Sequence, residues 1–566
     1  MDKYNIVLHK DGKEYYLSPL STLNNGEAFE IDETKVVSSV KTIDSKTVLY
    51  ELTASGKGKC YFSLHGKSDG KFMCFNGECN EERLIRQSPH DYKQYVFKMD
   101  GAAMPVIADI QDNSSTIFIS DNPSHVDNYT TQHIIPERDE FYLSSGDPGG
   151  SPNFESSKEF KPYYHNLEEK DHTFRFIKID SDASSFKGIR RECYVGVQKT
   201  WGDGDDSSLY KAISFASNYM HLRKNESGTS ELWIVPGIEY ANCEYVRDAF
   251  WQSYILPSYE MEQCYKAPKT SILNAEYPLF YIIWSYRVMK AGGEYDKEKF
   301  ELSLSTVLKC MKKIEDGRYC PLSQPDGSYR NWYDICNYEF DDCDSYSQSL
   351  CVCALKAAKL MGYDVGDNYE KAIKYYHTLF NGEFVKLSLK KPYQALDFAL
   401  GDLLMYILFD ETFIDDEIVC KTYRHILNSK ACTPYGIKIT SDANGDYLPL
   451  EAYSAYGVVN PQIARLDLGR YANGGSYHIY EMLFHIEGYL HGCKEALDNM
   501  INRMMIDLNF DGATHEYIHT IKGNGVKANQ GWNAVVYAFW NELCKRGRGD
   551  KRFFDETNKK LEEFNR

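Results

Sequence analysis

Leu350-Cys351-Val352-Cys353-Ala354-Leu355-Lys356-Ala357-Ala358-Lys359-Leu360-Met361 is the stretch whose periodicity decides the fold of the larger part of this chain. Ala354, Ala357, Ala358 and Met361 recur at the i, i+3, i+4 spacing of one helix face. A tight turn, Gly362-Tyr363-Asp364, follows, and a second periodic stretch begins directly after it, so the unit is a helical hairpin. Working outward, the same period predicts helices over 207–224, 248–257, 275–292, 297–315, 345–362, 366–381, 395–410, 415–429, 477–492, 494–507, 531–545 and 551–565. Ala291-Gly292-Gly293 is a second hairpin turn of this kind. No internal sequence repeat is present, which argues against a solenoid. About a dozen helices in successive hairpins can instead close into a double ring, an (α/α)6 barrel.

Toward the N-terminus the period changes from 3.6 to 2. Short strand-like runs fall at 4–8, 14–17, 36–40, 47–52, 60–64, 95–98, 105–110 and 116–119, with a further strand at 174–179. Asp11-Gly12, Asn24-Asn25-Gly26, Ser68-Asp69-Gly70 and Asn76-Gly77 separate them with turn chemistry. Many short strands with such punctuation predict an N-terminal antiparallel β-sandwich. Ser144-Ser145-Gly146-Asp147-Pro148-Gly149-Gly150-Ser151-Pro152 reads as a linker. The expected division is therefore a sandwich with linker over 1–185 and a helical barrel over 186–566.

Bulk properties exclude several classes. A length of 566 residues exceeds one ordinary core and implies more than one domain. The formal charge of −18 opposes nucleic acid, whose phosphates demand a basic face, and equally an anionic membrane surface. No run of about 18 apolar residues is present to span a bilayer. Met1-Asp2-Lys3-Tyr4-Asn5 lacks signal-peptide character, and the 16 cysteines include no Cys-x-x-Cys, so reduced thiols and a cytoplasmic location are expected. Aromatic residues make up 14% and 45 residues are tyrosine; such rings stack on sugars but equally fill cores.

Four long breaks interrupt the helices, at 225–247, 316–344, 430–476 and 508–530, and long loops in compact domains usually carry function. The first leads to Arg247-Asp248, a pair able to grip sugar hydroxyls or simply to open a helix. The second holds Asn331-Trp332-Tyr333-Asp334, where flanking aromatics would desolvate Asp334 and hold its proton. Most of Glu339, Asp341, Asp342 and Asp344 beyond it read as the solvated first turn of the next helix. The third ends in Asn473-Gly474-Gly475-Ser476-Tyr477-His478, whose glycines allow close backbone approach; Glu481 lies one turn on. The fourth carries Thr514-His515-Glu516-Tyr517-Ile518-His519 and then Gln530-Gly531-Trp532. His515-Glu516-x-x-His519 has the order of a zinc protease, but that motif needs a continuous helix and this stretch sits in a break. No phosphate loop, dinucleotide fingerprint or nucleophile elbow occurs. No metal or other cofactor is expected.

Taken in chain order, these residues resemble the six-hairpin glycosidases, with closest echoes in the bacterial-type glycogen-debranching amylo-α-1,6-glucosidases and the glucoamylases. The debranching family's Arg-Asp pair after an Arg and Gly lead-in resembles Arg223, Pro236-Gly237 and Arg247-Asp248. Its Trp-x-Asp acid resembles Trp332-Tyr333-Asp334. Its base glutamate before a Trp-containing helix start resembles Glu516 and Gln530-Gly531-Trp532. The chain departs from the pattern in Ala249-Phe250-Trp251 and in His515, where a proline often precedes the base. The inverting disaccharide phosphorylases are a second relative, through the Trp-x-Asp acid and Asn473 to His478. Their small-residue run would fall at 527–532, which here is Lys527-Ala528-Asn529-Gln530-Gly531-Trp532, and Glu516 upstream favours hydrolysis.

The resemblance implies an inverting glycoside hydrolase acting on an oligosaccharide or glycoside, an α-glucoside or a related hexoside or rhamnoside. Asp334 would be the general acid and Glu516 the base, with Glu481 as a competing base. Arg247, Asp248, Trp251, Trp332, Asn473, Gly474, His478 and Trp532 would bind substrate. A phosphorylase and a non-catalytic carbohydrate-binding protein are the alternatives. The helix count leaves Arg247-Asp248 on the opposite rim from Asp334, so the resemblance demands one extra short helix within 259–265.

Overall fold

The computed structural model describes residues 3–68, 70–74, 106–120, 131–135, 139–146, 164–201, 219–224, 230–235, 245–256, 258–266, 276–321, 342–449, 452, 468–528 and 530–563. An N-terminal region rich in antiparallel sheet precedes a helical C-terminal part. The chain divides into two compact units. One comprises Met1–Asn242 with Asp511–Ala513 and Thr557–Arg566; the other comprises Cys243–Phe510 with Thr514–Glu556.

In the first unit the strands are β1 (Tyr4–Lys10), β2 (Lys13–Pro19), β3 (Ala28–Ile31), β4 (Thr34–Thr42), β5 (Thr47–Gly56), β6 (Lys59–Lys67), β7 (Lys71–Cys74), β8 (Val106–Gln111), β9 (Ser114–Ser120), β10 (Thr131–Ile135), β11 (Glu140–Ser144), β12 (His165–Asn166) and β13 (His172–Ser181). They form two antiparallel sheets, ordered β10-β11-β6-β1-β2 with β12 also on β6, and β3-β4-β5-β13-β9-β8-β7. Asp11 and Gly12, both at positive φ, turn β1 into β2, as the Asp-Gly signal predicts. In register, Ile6 faces Leu64 and Leu8 faces Phe62, all fully buried. Phe62 stacks on Phe174, and Phe118 meets both Tyr4 and Phe141, so rings from the two sheets share one core. Each fully buried Phe or Leu of that core contributes roughly 1.5–3 kcal/mol.

Three expectations for this unit change. Ser144 closes β11, and Ser145 is buried with its hydroxyl accepting the Phe62 amide at 2.9 Å, so the supposed linker starts inside the sheet. The first helix is α1 (Phe186–Trp201), which packs on β13 and β9. The helix expected over 207–224 fails at its end: Tyr219–Lys224 is a strand paired with Ser230–Val235. A β-branched and aromatic partner segment supplies ladder bonds that a local 3.6-residue period cannot register. Residues 202–218, the rest of that expected helix, and the expected strand at 95–98 lie outside the described residues.

The second unit contains α2 (Val246–Gln252), α3 (Ser258–Lys266), α4 (Tyr277–Lys290), α5 (Lys297–Met311), α6 (Ser345–Leu360), α7 (Asn368–His377), α8 (Leu400–Phe409), α9 (Asp416–Leu427), α10 (His478–Leu490), α11 (Ala496–Asp511) and α12 (Ala534–Lys545); α13 (Arg552–Glu563) begins in it. The extra helix demanded within 259–265 is α3. Alternate helices are neighbours: α2 packs on α4, α4 on α6, α6 on α8, α8 on α10, α10 on α12 and α12 on α2. The intervening α3 and α5 lie on α4, α7 on α6, and α9 on α10.

Burial follows this order. From His478 to Gly488 every residue of α10 is buried, and α6 is buried from Ser345 through Leu355. A helix buried on all sides has neighbours all round. By contrast, α9 buries only Val419, Thr422, Tyr423 and Ile426, one stripe at i, i+3, i+4, i+7. Where α8 meets α6, Gly401 sits against the Ser349 carbonyl so closely that a Cβ would stand 1.9 Å from its oxygen. The Gly401 amide donates to the Ser349 hydroxyl at 3.0 Å.

Asp342 and Asp344 are not solvated. Asp344 is the buried N-cap of α6, accepting the Ser347 amide at 2.7 Å, and Asp342 accepts the Ser388 hydroxyl at 2.6 Å. No helix among the described residues is long and apolar enough to cross a membrane.

Candidate active site

The N-terminal ends of alternate helices hold a buried polar cluster. Arg247 and Asp248 occupy the first turn of α2. Glu276 is the residue before α4, where Pro278 sets the helix start. A carboxylate in that position ordinarily caps the helix. Glu276 does not; its Oε1 accepts from Arg247 Nη1 at 2.6 Å and its Oε2 accepts from the Tyr346 hydroxyl at 2.5 Å. Tyr346 lies in the first turn of α6 and Tyr480 in the first turn of α10. Trp532 lies in the short 3-10 turn Gly531–Asn533 that leads into α12.

Arg247 is held on three sides. Its Nε approaches Asp248 Oδ2 at 3.6 Å, and its guanidinium carbon lies 5.2 Å from the Trp532 ring centroid, within cation–π range. Tyr480 meets Trp532 edge to face at 5.7 Å. Asp248 Oδ2 accepts no hydrogen bond among the described residues, nor does Trp532 Nε1 donate one. Burial, reinforced by the charges of Glu516 and Glu276 against the pull of Arg247, pushes the Asp248 carboxyl up to about 7. Burial likewise raises Glu276, opposed by Arg247 and Tyr346. The positive ends of the helix dipoles favour such carboxylates here.

Glu516 lies on the strand His515–Ile518, the middle of a three-stranded sheet with Ser476–Tyr477 and Gly525–Ala528. It is buried, and its charge acts on Asp248. Asn533 Nδ2 donates to the His515 carbonyl at 2.9 Å, tying that strand to the Trp532 turn. Because His515–Ile518 is extended, the helical geometry of a zinc protease does not form. His515 Nδ1 instead faces Asp507 Oδ1 at 3.1 Å.

The Asn473-Gly474-Gly475 turn supports the sheet. Gly474, at φ +93°, lies under the Tyr447 ring, where a Cβ would stand 2.8 Å from ring carbons. Its carbonyl accepts the Thr520 hydroxyl at 2.7 Å, and Asn473 is buried. His478 is engaged by Asp507 Oδ2 at 2.5 Å. Glu481 is committed too: its Oε2 accepts from Arg503 Nε at 2.8 Å, the Ser476 hydroxyl at 2.7 Å and the Ile437 amide at 2.9 Å. Trp251 is fully buried, its ring against Phe280 and Phe539, and so serves the core between α2, α4 and α12.

Among the candidate residues, then, Arg247 meets Asp248 and Trp532, and Glu516 is close enough for its charge to act on Asp248. Asp334 and Trp332 lie outside the described residues. Motif spacing points to none of Glu276, Tyr346 and Tyr480. The signal that finds them is position, since each starts a helix of the alternate set. The arrangement offers a fixed guanidinium donor, carboxylate acceptors and aromatic faces, the groups that bind a polyhydroxylated ring.

No family model matches the chain, and no curated protein matches it. Among solved structures, the chain is similar to the GH63 mannosylglycerate hydrolase from Thermus thermophilus in complex with glucose, at 10% identity and a TM-score of 0.37, over 53% of this chain and 93% of that one. It is similar to a reducing-end-xylose releasing exo-oligoxylanase at 13% identity and a TM-score of 0.32, over 56% and 89%. It is also similar to a sialidase at 9% identity and a TM-score of 0.36, over 90% and 55%.

Proposed function

We propose that the protein is an inverting glycoside hydrolase with an N-terminal β-sandwich and an (α/α)6 barrel. The observation that carries this reading is the approach of Arg247-Asp248 and Trp532, from distant parts of the chain, at two helix starts, with the charge of Glu516 acting on Asp248 from an extended strand. The closed order of alternate helices supports the barrel, and the shared aromatic core of two sheets supports the sandwich.

Asp334 protonates the glycosidic oxygen as its bond to the anomeric carbon breaks. Glu516 takes a proton from water, which attacks that carbon from the opposite face, so configuration inverts. Arg247 donates to, and Asp248 accepts from, hydroxyls of the non-reducing sugar. Trp532 and Trp332 form walls, while Asn473, Gly474 and His478 hold the strand that presents Glu516. Glu481 is ion-paired with Arg503, which favours Glu516 as base. The substrate is an α-glucoside or a related hexoside or rhamnoside, the location is cytoplasmic, and no cofactor takes part. The two catalytic carboxyl groups should stand about 6.5–9.5 Å apart.

Product anomer, followed by NMR over a panel of glycosides with and without phosphate, tests the reading. Inverted free sugar supports it; a sugar phosphate makes the protein a phosphorylase, and no turnover makes it a binding protein. Asp334→Asn and Glu516→Gln should each lower turnover about 10²–10⁴-fold with unchanged circular dichroism. Wild-type rates in either variant would remove that residue from the mechanism.

A further inference from the structure

A second polar cluster lies where the last turn of α10 meets the starts of α8 and α9. His491, the residue after α10, places Nε2 3.0 Å from Asp402 Oδ2 and 3.2 Å from Glu487 Oε1. Its Nδ1 lies 2.7 Å from Asp416 Oδ1. Asp402, Glu487 and His491 are all buried. Asp402 Oδ1 accepts the backbone amides of Phe413 and Ile414, which fixes the carboxylate with Oδ2 turned to the histidine. Apart from the approach to His491, neither Glu487 oxygen has a hydrogen-bond donor among the described residues.

An imidazole nitrogen facing two carboxylate oxygens requires positive charge between them. A second ring proton is one source of that charge; a cation is the other, and in the tautomer that gives Nδ1–H to Asp416 the Nε2 lone pair points at the two acids. This is the arrangement of a metal-ligating histidine, whose other nitrogen is oriented by a carboxylate. The three ligand atoms lie within 4.8 Å of one another. A cation with bonds of about 2.0–2.2 Å to nitrogen and oxygen spans such a gap after small side-chain adjustments.

We infer that Asp402, Glu487 and His491 bind a first-row divalent cation of the zinc or manganese class, oriented by Asp416. One imidazole and two carboxylates suit those ions better than a thiolate-seeking one. The cation fastens α8 to α10, the two helices that carry its protein ligands, and Asp416 adds the first turn of α9 to the same joint. The site is separate from the cluster at the other end of α10 and does not depend on the proposed hydrolysis.

Cys420 Sγ lies 2.7 Å from Cys493 Sγ and 3.2 Å from the His491 carbonyl, so thiols are the competing ligands. The test therefore uses the full chain carrying Cys420→Ser and Cys493→Ser. After equilibrium dialysis against Zn²⁺ or Mn²⁺, metal content should approach one per chain and the melting temperature should rise. Glu487→Gln, nearly isosteric, should weaken binding at least 100-fold, and Asp416→Asn about 10–100-fold. Cobalt(II) bound to the same thiol-free protein should show nitrogen and oxygen ligation, a readout that needs no change to the cluster. Absence of stoichiometric metal, or binding unchanged in Glu487→Gln, overturns the inference and leaves a proton holding the three side chains together.

Discussion

Asp248 shows what burial does to a single acid. The unfolded chain ionises it near 3.9, a typical aspartate value, whereas the folded protein holds its proton to about 7. Between those pH values the folded state keeps a proton that the unfolded state has released. Its contribution is therefore fully present below about 4 and is lost as pH rises toward 7. Three pKa units correspond to about 4 kcal/mol. Asp248→Asn should remove this dependence, so wild-type stability relative to the variant should fall by a few kcal/mol between pH 4.5 and 8. Urea unfolding at the two pH values measures it; parallel curves would mean that Arg247 keeps Asp248 ionised throughout. Arg247, Asp248, Glu516 and Trp532 each sit in a short motif, which is what singles them out in sequence. Glu276 is not singled out, because its role depends on Arg247 and Tyr346 arriving from other helices.

At the scale of elements, the 3.6-residue period locates the helices of the second unit except α3, which only the helix count and the resemblance demanded, and α9 with its clean stripe shows that period most plainly. The end of the expected 207–224 helix is misread because its partner strand supplies the decisive hydrogen bonds. Asp342 and Asp344 are misread as solvated because local sequence does not show that Ser388 and the α6 amides receive them. The α6–α8 contact at Gly401 makes a sharp prediction. A Cβ there meets backbone, which cannot swing aside, so Gly401→Ala should cost at least about 1–3 kcal/mol, the range for overpacking. Thermal unfolding checks it, and an unchanged melting temperature would show that the two helices can separate freely.

At the scale of the whole molecule, the chain's last segment belongs to the unit that its first segment builds. Leu561 is fully buried there, and its carbonyl accepts from Arg191 Nε of α1 at 2.8 Å. Leu561→Ala should cost about 2–5 kcal/mol. Hydrogen exchange should then rise in Phe186–Trp201 while Tyr277–Lys290 stays protected; equal rises in both would show that the two units unfold as one. Sequence alone determined the succession of β then α, the helical hairpins and the acidic net charge, because periodicity, turn chemistry and composition are local properties. Only the tertiary structure decided which helices alternate around the closed packing order, which acids are buried and which carboxylates share a cluster. Those outcomes depend on desolvation and on partners from remote parts of the chain, as the burial of Asp248 beside Glu276 and Glu516 shows.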